Sequence, residues 1–431
     1  MHKTDRIRSL WVDELSRVEG EGALDLVLDG DEIVDLRFQI FESPRFFEAL
    51  LLGRSHTETP DITARICGIC PVAYQTSSIN AMEQILAIEV DESIRDLRRL
   101  IYLAEWIESH ALHIYLLHAP DFLGYPGAVA MAADFPDEVR DALRLKKVGN
   151  DLVALVGGRE IHPVNPRIGG FFKAPSRAEL ASVTTELEWA IDAAVRTVSL
   201  VSTFPFPDLD LDYEFVALSA PNEYAIIDGR IRSSGGIDAS VAEFNDLFVE
   251  EHVEWSNALH ARVRDRGSYH VGPMARFNLS RDQLHPIALD AARHIETVVV
   301  NPFRSIVVRA VELVHACAAS LDIIARYVPP DPPSIEGHIR AGEGHGASEA
   351  PRGLLYHRYC IDTDGVITDA QIVAPTSQNQ LSIEEDLRRL IPTITELPDE
   401  EMQHRLEQAI RNYDPCISCA VHFLDLRVSR S

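Results

Sequence analysis

Four of the six cysteines form two Cys-x-x-Cys pairs, Cys67 with Cys70 and Cys416 with Cys419, near opposite ends of the 431-residue chain. Thiolate sulfur binds nickel, iron, copper(I) and zinc well, and magnesium or calcium poorly. The two pairs of a zinc ribbon normally lie about 15–20 residues apart, whereas 345 residues separate Cys70 from Cys416. If the four sulfurs share a metal site, the fold must bring both ends of the chain to one point in a large domain.

The residues beside the cysteines favour metal binding. Gly68 gives the first pair the backbone freedom of a tight turn. Helical periodicity begins after Pro71, so we expect Cys70 to lie at a helix N-terminus, where backbone N–H groups stabilise a thiolate. The spacing alone leaves a closed zinc site or a pair of redox disulfides as alternatives, although neither pair has the βαβ context of a thioredoxin-like motif.

Two stretches of alternating apolar and polar residues predict β-hairpins among the elements that must position these motifs. Residues 22–41 turn at Asp29-Gly30, and residues 354–373 turn at Asp364-Gly365, a dipeptide that tight hairpin turns favour. The Gly-rich segment 337–353 is predicted to be a connection that runs toward the site.

Much of the remaining chain carries apolar residues at three- and four-residue spacing, which predicts long helices. The predicted helical segments are 72–88, 92–118, 177–203, 239–265 and 281–328. Pro286 and Pro302 predict a break or kink in the last of them. The predicted fold class is mainly α with small β-hairpins (α+β), a bundle of long helices in a single domain over 1–431.

Composition excludes some classes of protein. The net charge of −27, from 40 basic and 67 acidic side chains, argues against a nucleic-acid partner, since phosphate binding needs an excess of cations. The N-terminus lacks the apolar stretch of a secretory signal, and no window reaches the ~18 consecutive apolar residues of a membrane span. We therefore expect a cytoplasmic protein with reduced thiols.

Further segments extend the pattern along nearly the whole chain. Together with the cysteine pairs, these segments resemble the signature motifs of nickel-iron hydrogenase large subunits, both in their residues and in their order and spacing along the chain. The segments that carry the resemblance are Leu15-Ser16-Arg17-Val18-Glu19-Gly20, Glu48, Arg65-Ile66-Cys67-Gly68-Ile69-Cys70-Pro71, Ala350-Pro351-Arg352-Gly353 and Asp414-Pro415-Cys416-Ile417-Ser418-Cys419-Ala420-Val421-His422. Segments 157–165 and 375–379 look most like the cytosolic, bidirectional members that are coupled to flavin subunits using NAD(P).

The resemblance implies a centre of nickel and of iron carrying CO and cyanide, at which H2 is reversibly cleaved to protons and electrons. Cys67 and Cys416 would be terminal nickel ligands, and Cys70 and Cys419 would bridge nickel to iron. Heterolytic cleavage of H2 requires a Lewis acid and a nearby base. Cys416 would be the first acceptor of the proton.

The same resemblance assigns roles to three charged residues. Glu19 resembles the carboxylate that collects the proton and passes it outward, and Arg352 resembles the arginine over the open bridging position, with Asp414 as its ion-pair partner. Read without the resemblance, Glu19 is an exposed acid in a polar turn and Arg352 a surface arginine. Many relatives carry His-Asp-His near this arginine, where this chain has Glu108-Ser109-His110.

A second metal site is implied near the C-terminus. Glu48 and His422 resemble the ligands of a buried magnesium or calcium ion, and a hard cation with few protein ligands and several waters suits magnesium. A lone histidine close to a chain end is otherwise usually solvated. Cys317 and Cys360 are expected to be small core residues, and His110 a packing residue with a role beside the metal pocket left open.

The resemblance also implies partners. Because Cys317 and Cys360, the two other cysteines, are too few to hold an iron–sulfur cluster, electrons must leave through an iron–sulfur small subunit, with flavin and NAD(P)-reductase subunits beyond it. No Gly-rich dinucleotide fingerprint follows a strand here. Relatives commonly lose the residues after the equivalent of His422 once nickel is inserted, so 423–431 is a candidate processing tail for a maturation endopeptidase that acts with nickel-insertion proteins.

Three competing interpretations stay open at this point. One is a hydrogen-sensing or deazaflavin-linked hydrogenase subunit, which shares the site and feeds another acceptor. Another is the related scaffold and quinone-site subunit of respiratory complex I, a family that lacks the four cysteines. The third is a helical interaction protein stabilised by zinc.

Overall fold

The structure, a computed structural model, describes residues 7–421 of the chain. His422 and the candidate tail at 423–431 lie outside the described residues. The strands, all in small antiparallel sheets, are β1 (Ile7–Val12), β2 (Gly22–Asp29), β3 (Glu32–Ile40), β4 (Pro166–Arg167), β5 (Gly170–Phe171), β6 (Val216–Ser219), β7 (Arg230–Ser233), β8 (Asp238–Ala239), β9 (Phe248–Glu251), β10 (His260–Val263), β11 (Gly342–Ala350), β12 (Gly353–Ile361) and β13 (Ile367–Val373).

Helices make up most of the rest of the described chain. They are α1 (Phe47–Leu51), α2 (Thr59–Thr63), α3 (Pro71–Leu86), α4 (Glu92–Leu112), α5 (Ala119–Leu123), α6 (Ala128–Met131), α7 (Pro136–Gly157), α8 (Arg177–Ala181), α9 (Thr184–Val201), α10 (Phe244–Leu247), α11 (Pro273–Ser280), α12 (Pro286–Ala291), α13 (Ser305–Arg326), α14 (Pro375–Leu390), α15 (Asp399–Arg411) and α16 (Ile417–Ala420). Across residues 7–421, none of these helices combines the length and apolar character that a membrane span requires.

Helix α4 lies at the centre of the bundle, in contact with α7 on one side and α13 on another, and α13 also packs against α9. Asp91 caps the start of α4 by accepting a hydrogen bond from the N–H of Ile94 at 2.9 Å. Almost every side chain of α4 after its first turn is buried, charged ones included. The helix continues as a π-helical turn over His113–His118.

The two larger sheets hold the segments that carry the cysteine motifs. Strands β11, β12 and β13 form one sheet, whose strand β11 lies along α3, the helix that begins directly after Cys70. The approach is so close that a Cβ atom at Gly346 would lie 2.1 Å from the carbonyl oxygen of Ser77. Strands β1, β2 and β3 form the other sheet, which contacts α14 through β3.

Both predicted hairpins are confirmed, as β2–β3 and β12–β13, although each has an additional strand, β1 and β11, that was not predicted. Strand β11 occupies most of the segment 337–353, which was expected to be a connection. The helices at 72–88 and 92–118 are confirmed. The predicted break in segment 281–328 lies before Pro302. A short 3₁₀ turn begins at Pro302, and the long helix α13 begins at Ser305.

Two predicted helices differ from the structure. Segment 177–203 is divided into α8 and α9. Segment 239–265 was wrongly predicted as one long helix, because it contains only a 3₁₀ turn at Val241–Glu243 and the short helix α10 among the strands β8, β9 and β10. Its apolar residues at helical spacing instead point into a second small core, where the ring of Phe244 stacks on Tyr356 with centroids 4.0 Å apart.

Candidate metal centre

The four cysteine sulfurs meet in the interior of the protein. All four Sγ atoms lie within 4.8 Å of one another, and all four residues are buried. The Sγ atoms of Cys67 and Cys416 are 3.5 Å apart, and those of Cys70 and Cys419 are 3.8 Å apart. The two ends of the chain therefore converge as the cysteine spacing requires.

The front pair is held by a tight turn and the start of α3. The backbone N–H groups of Ile69 and Cys70 donate to the Sγ of Cys67 at 3.3 and 3.2 Å. Cys70 occupies the N-cap position of α3, as expected. The buried carboxylate of Glu105 accepts hydrogen bonds from the next free N–H groups of that helix, Val72 at 2.6 Å and Ala73 at 3.2 Å.

The rear pair is held by the N-terminal segment. The N–H of Ile417 donates to the carbonyl oxygen of Glu19 at 2.9 Å, and the N–H of Ser418 donates to its Oε2 at 3.1 Å. The thiol of Cys416 donates to the same Oε2 at 3.0 Å. Gly20 permits this approach, because it has φ +91° and a Cβ there would lie 2.7 Å from the Cβ of Ile417.

Arg352 and Asp414 form a buried ion pair beside the cysteines. The Arg352 Nε donates to the carbonyl oxygen of Asp414 at 2.7 Å, and its Nη2 lies 3.1 Å from Oδ1. Both residues are 3% exposed, so neither is the surface residue that the sequence alone allowed. The Oδ2 of Asp414 lies 3.6 Å from Nη1 of a second buried arginine, Arg309.

Burial and hydrogen bonds among the thiols shift the pKa values of Cys416 and Cys67 in opposite directions. Burial and the hydrogen bond with Cys419 raise the pKa of the Cys416 thiol well above its ordinary value. Burial acts in the same direction on Cys67, but hydrogen bonds from the other thiols hold the pKa of Cys67 well below the ordinary range. Burial opposes the charge of Arg352, yet Asp414 and the sulfurs outweigh it and hold the pKa of Arg352 high.

The predicted second metal site is described only in part, because His422 lies outside the described residues. Glu48 is half-buried, and its Oε1 accepts a hydrogen bond from the N–H of Ile372 at 2.7 Å. Burial raises the pKa of Glu48 to about 8, and the nearby Glu250 contributes in the same direction. A carboxylate oxygen is the kind of ligand that a hard cation prefers.

Glu108 and His110, in the stretch Glu108-Ser109-His110, each make a buried contact with a charged side chain. The Oε2 of Glu108 lies 3.1 Å from the Nζ of Lys146, and burial raises the pKa of Glu108 to about 7. The Nε2 of His110 lies 3.0 Å from the Oε2 of Glu312, which also pairs with Arg276 at 2.7 Å. Burial lowers the pKa of His110 to about 4, so the ring is neutral and serves packing.

Sequence reasoning missed three residues that hold the motifs in place. Thr376 accepts a hydrogen bond from the N–H of Cys416 at 2.9 Å through its Oγ1. Glu105 caps α3. Its position one helical turn before Glu108, on the same face of α4, was the only sign in the sequence that Glu105 lies near the site. Arg45 donates to backbone carbonyls in both cysteine motifs, and nothing in its neighbourhood in the sequence indicated that contact.

Comparison with known proteins identifies the family. A family model described as nickel-dependent hydrogenase matches residues 45–140 and 271–422, which together are more than half of the chain. The chain belongs to the nickel-dependent hydrogenase family. It is the large, catalytic subunit of a nickel-iron hydrogenase, an oxidoreductase that acts on H2, and the motif-based prediction is confirmed.

Individual relatives of this hydrogenase subunit match it almost end to end. Sulfhydrogenase 2 subunit alpha of Pyrococcus furiosus is 35% identical over 96% of this chain and 99% of its own length. NAD-reducing hydrogenase HoxS subunit beta of Cupriavidus necator is 28% identical over 97% and 95%. A solved structure of an NAD+-reducing [NiFe]-hydrogenase in the H2-reduced state superimposes with a TM-score of 0.86, at 25% identity, over 96% of this chain and 99% of that one. The zinc-protein and complex I-like alternatives are not favoured.

Proposed function

We propose that the four-cysteine cluster binds the nickel and iron at which this subunit cleaves H2 reversibly. The observation that carries the proposal is the convergence of four buried sulfurs within 4.8 Å, with the carboxylate of Glu19 at 3.0 Å from one of them. A closed structural zinc site needs no proton acceptor, whereas Glu19 offers one to the thiol of Cys416.

The donor set fits such a centre. Four thiols in a space this small cannot all ionise without a cation, and the Nη1 of Arg352 is buried with no hydrogen-bond partner among residues 7–421, so it is free to face an occupant. By the family pattern, Cys67 and Cys416 would be terminal nickel ligands, and Cys70 and Cys419 would bridge to an iron with CO and cyanide. When bound, the two metals would supply the Lewis acid for heterolytic cleavage.

The protein's own residues handle the proton. Cys416 holds it first, and the Oε2 of Glu19, already hydrogen-bonded to that sulfur, receives it next. The same oxygen accepts from the N–H of Ser418 at 3.1 Å, which fixes the carboxylate against the rear motif. A carboxylate held this way needs no rearrangement to accept a proton, which is what an efficient relay requires.

Arg352 and Asp414 set the charge on the other side of the cluster. A guanidinium held by two hydrogen bonds to one residue has a fixed direction. Its positive charge, buried beside the sulfurs, stabilises negative charge that develops at the centre. Arg352 would thus assist cleavage electrostatically, and Asp414 would orient it.

We assign the second site, at Glu48 and His422, to magnesium or calcium. The raised pKa of Glu48, about 8, indicates a carboxyl group that gains from a nearby cation. Metal analysis of the Glu48→Gln variant should show loss of the magnesium or calcium with nickel and iron retained. Unchanged magnesium and calcium content would remove Glu48 from the site.

Electrons must leave through a partner. Cys317 is buried in the core and Cys360 lies on β12, so neither joins a second cluster. We assign an iron–sulfur small subunit as the direct partner, with flavin and NAD(P)-reductase subunits beyond it, since relatives include NAD-reducing enzymes. We further propose a cytoplasmic location, one domain over 1–431, and a tail at 423–431 that a maturation endopeptidase removes after the nickel-insertion proteins act.

The experiment is purification of the complex from its own cell extract, followed by H2-dependent reduction of NAD+, NADP+ and a viologen dye. Reduction of the dye and of either nicotinamide supports the whole assignment. Reduction of the dye alone removes the nicotinamide partner and leaves the hydrogenase. A pure, metal-loaded complex that reduces none of the three with H2 contradicts the proposed function.

A further inference from the structure

Arg45 lies between the two cysteine motifs and touches both. Its Nη2 donates to the carbonyl oxygen of Ile66, the residue before Cys67, at 2.6 Å. The same nitrogen donates to the carbonyl oxygen of Ser418, which lies between Cys416 and Cys419. One side-chain atom therefore joins two segments that are separated by more than 350 positions in the sequence.

The backbone at Arg45 adds a third connection. Its N–H donates to the carbonyl oxygen of Val421 at 2.7 Å, just beyond the rear pair. The guanidinium lies over the ring of Phe47, 5.4 Å from its centroid, and the intervening Phe46 has φ +53°, a conformation that bulky residues rarely adopt. Helix α1 follows Phe46 immediately.

An arginine suits this position for a reason of geometry. A planar guanidinium presents five N–H groups in fixed directions, and one nitrogen can serve two carbonyls at once, whereas a lysine is a compact charge on a flexible stem. The partners of Arg45 here are backbone carbonyls, so the contact fixes where the main chain runs and not which side chains flank it.

We propose that Arg45 is a positioning residue that holds the front and rear cysteine motifs at the separation the metal centre needs. Ligand positions in metal sites depend on hydrogen bonds one layer outside the ligands, and loss of such a contact typically lowers metal affinity or activity by about 10–100-fold. The inference rests on the proposed function of the cluster. It adds a residue outside the hydrogenase signature segments to that function.

The test compares Arg45→Met and Arg45→Lys with a matched control, Arg8→Met, in the whole complex. Arg8 also joins remote segments through two carbonyls, those of Thr395 at 2.7 Å and Leu397 at 2.8 Å, but neither belongs to a cysteine motif. The readouts are nickel and iron retained after dialysis against a chelator, and the infrared bands of the CO and cyanide on iron.

We expect Arg45→Met to lose metal about 10–100-fold more readily than wild type and to shift the infrared bands of the metal that remains. Arg45→Lys should show a smaller change in both, and Arg8→Met should match wild type. If Arg45→Met fails to fold, Arg45→Lys decides. If every Arg45 variant that folds retains nickel and iron as wild type does, with unchanged infrared bands, the role of Arg45 is overturned and the proposed function stays intact. A wild-type complex without nickel and iron would overturn the proposed function itself.

Discussion

The thiol of Cys416 and the carboxylate of Glu19 lie 3.0 Å apart although 397 positions separate them in the sequence. The short parallel bridge between the same two residues holds them together through the backbone as well. The fold therefore fixes a sulfur of the proposed metal centre and the proposed proton acceptor against each other.

Replacement of Glu19 by Gln should leave nickel and iron bound and slow H2/D+ exchange by about 10²–10⁴-fold, because an amide cannot accept the proton from Cys416. Isotope exchange by mass spectrometry checks this. The control is Glu21→Gln, an exposed acid two residues on, which should exchange at the wild-type rate. An unchanged rate in Glu19→Gln would remove Glu19 from the relay.

Replacement of Cys416 by Ser should abolish turnover and lower the nickel content at least about tenfold, since a hydroxyl is a poor ligand for a soft metal. Elemental analysis of the purified chain measures this. Cys360→Ser is the matched control, because Cys360 lies outside the cluster. A fully metallated Cys416→Ser variant would show that the four sulfurs do not form the centre.

Replacement of Arg352 by Lys should lower kcat by about 10²–10³-fold with the metals retained, because the charge loses its fixed direction toward the cluster. Arg95→Lys is the control, since Arg95 also pairs with carboxylates, Glu223 and Asp228, neither of which belongs to a cysteine motif. A dye-linked assay with metal analysis on the same sample separates the two effects. Wild-type turnover in Arg352→Lys would contradict the electrostatic role.

Asp386 should make stability depend on pH. Burial raises the pKa of Asp386 from 3.8 to about 7, while Tyr213 and Tyr413 donate to its Oδ2. Because the folded state holds the proton more tightly than the unfolded state, this residue lowers the free energy of unfolding as pH rises from about 4 to 7, by at most about 4 kcal/mol.

The variant Asp386→Asn should therefore be more stable than wild type at pH 8 and equally stable near pH 4, as measured by denaturant unfolding at both values. Glu188→Gln, at an exposed position on α9, should show no such difference. An equal difference between Asp386→Asn and wild type at the two pH values would mean that the buried carboxyl does not titrate in this window.

Much of the fold was predictable where local pattern and final packing agree. Helix α4 has a helical pattern of apolar residues, and almost every side chain after its first turn is buried. The segment 239–265 failed because Phe244 and Phe248, four residues apart, satisfy a helical pattern while packing from a turn and a strand onto Tyr356 and Tyr269. Tertiary contacts outweigh local propensity in such short segments.

The site was predictable to the extent that its chemistry resides in side-chain type. Four cysteines, Glu19 and Arg352 carry reactive or charged groups, and their motifs marked them. Arg45 donates to main-chain carbonyls. Because every residue has a carbonyl, the residue types in the sequence do not indicate which ones Arg45 contacts. Such contacts are set by how distant segments lie in space, and only the structure gives that.

The central claim is that both ends of the chain share one nickel and one iron. The most direct measurement is metal analysis of the purified wild-type complex combined with infrared spectroscopy in the region of metal-bound CO and cyanide. We expect one nickel in this subunit, more iron than the partner's clusters contain, and infrared bands of both CO and cyanide. Zinc in the cluster, with no nickel and no such bands, would contradict it.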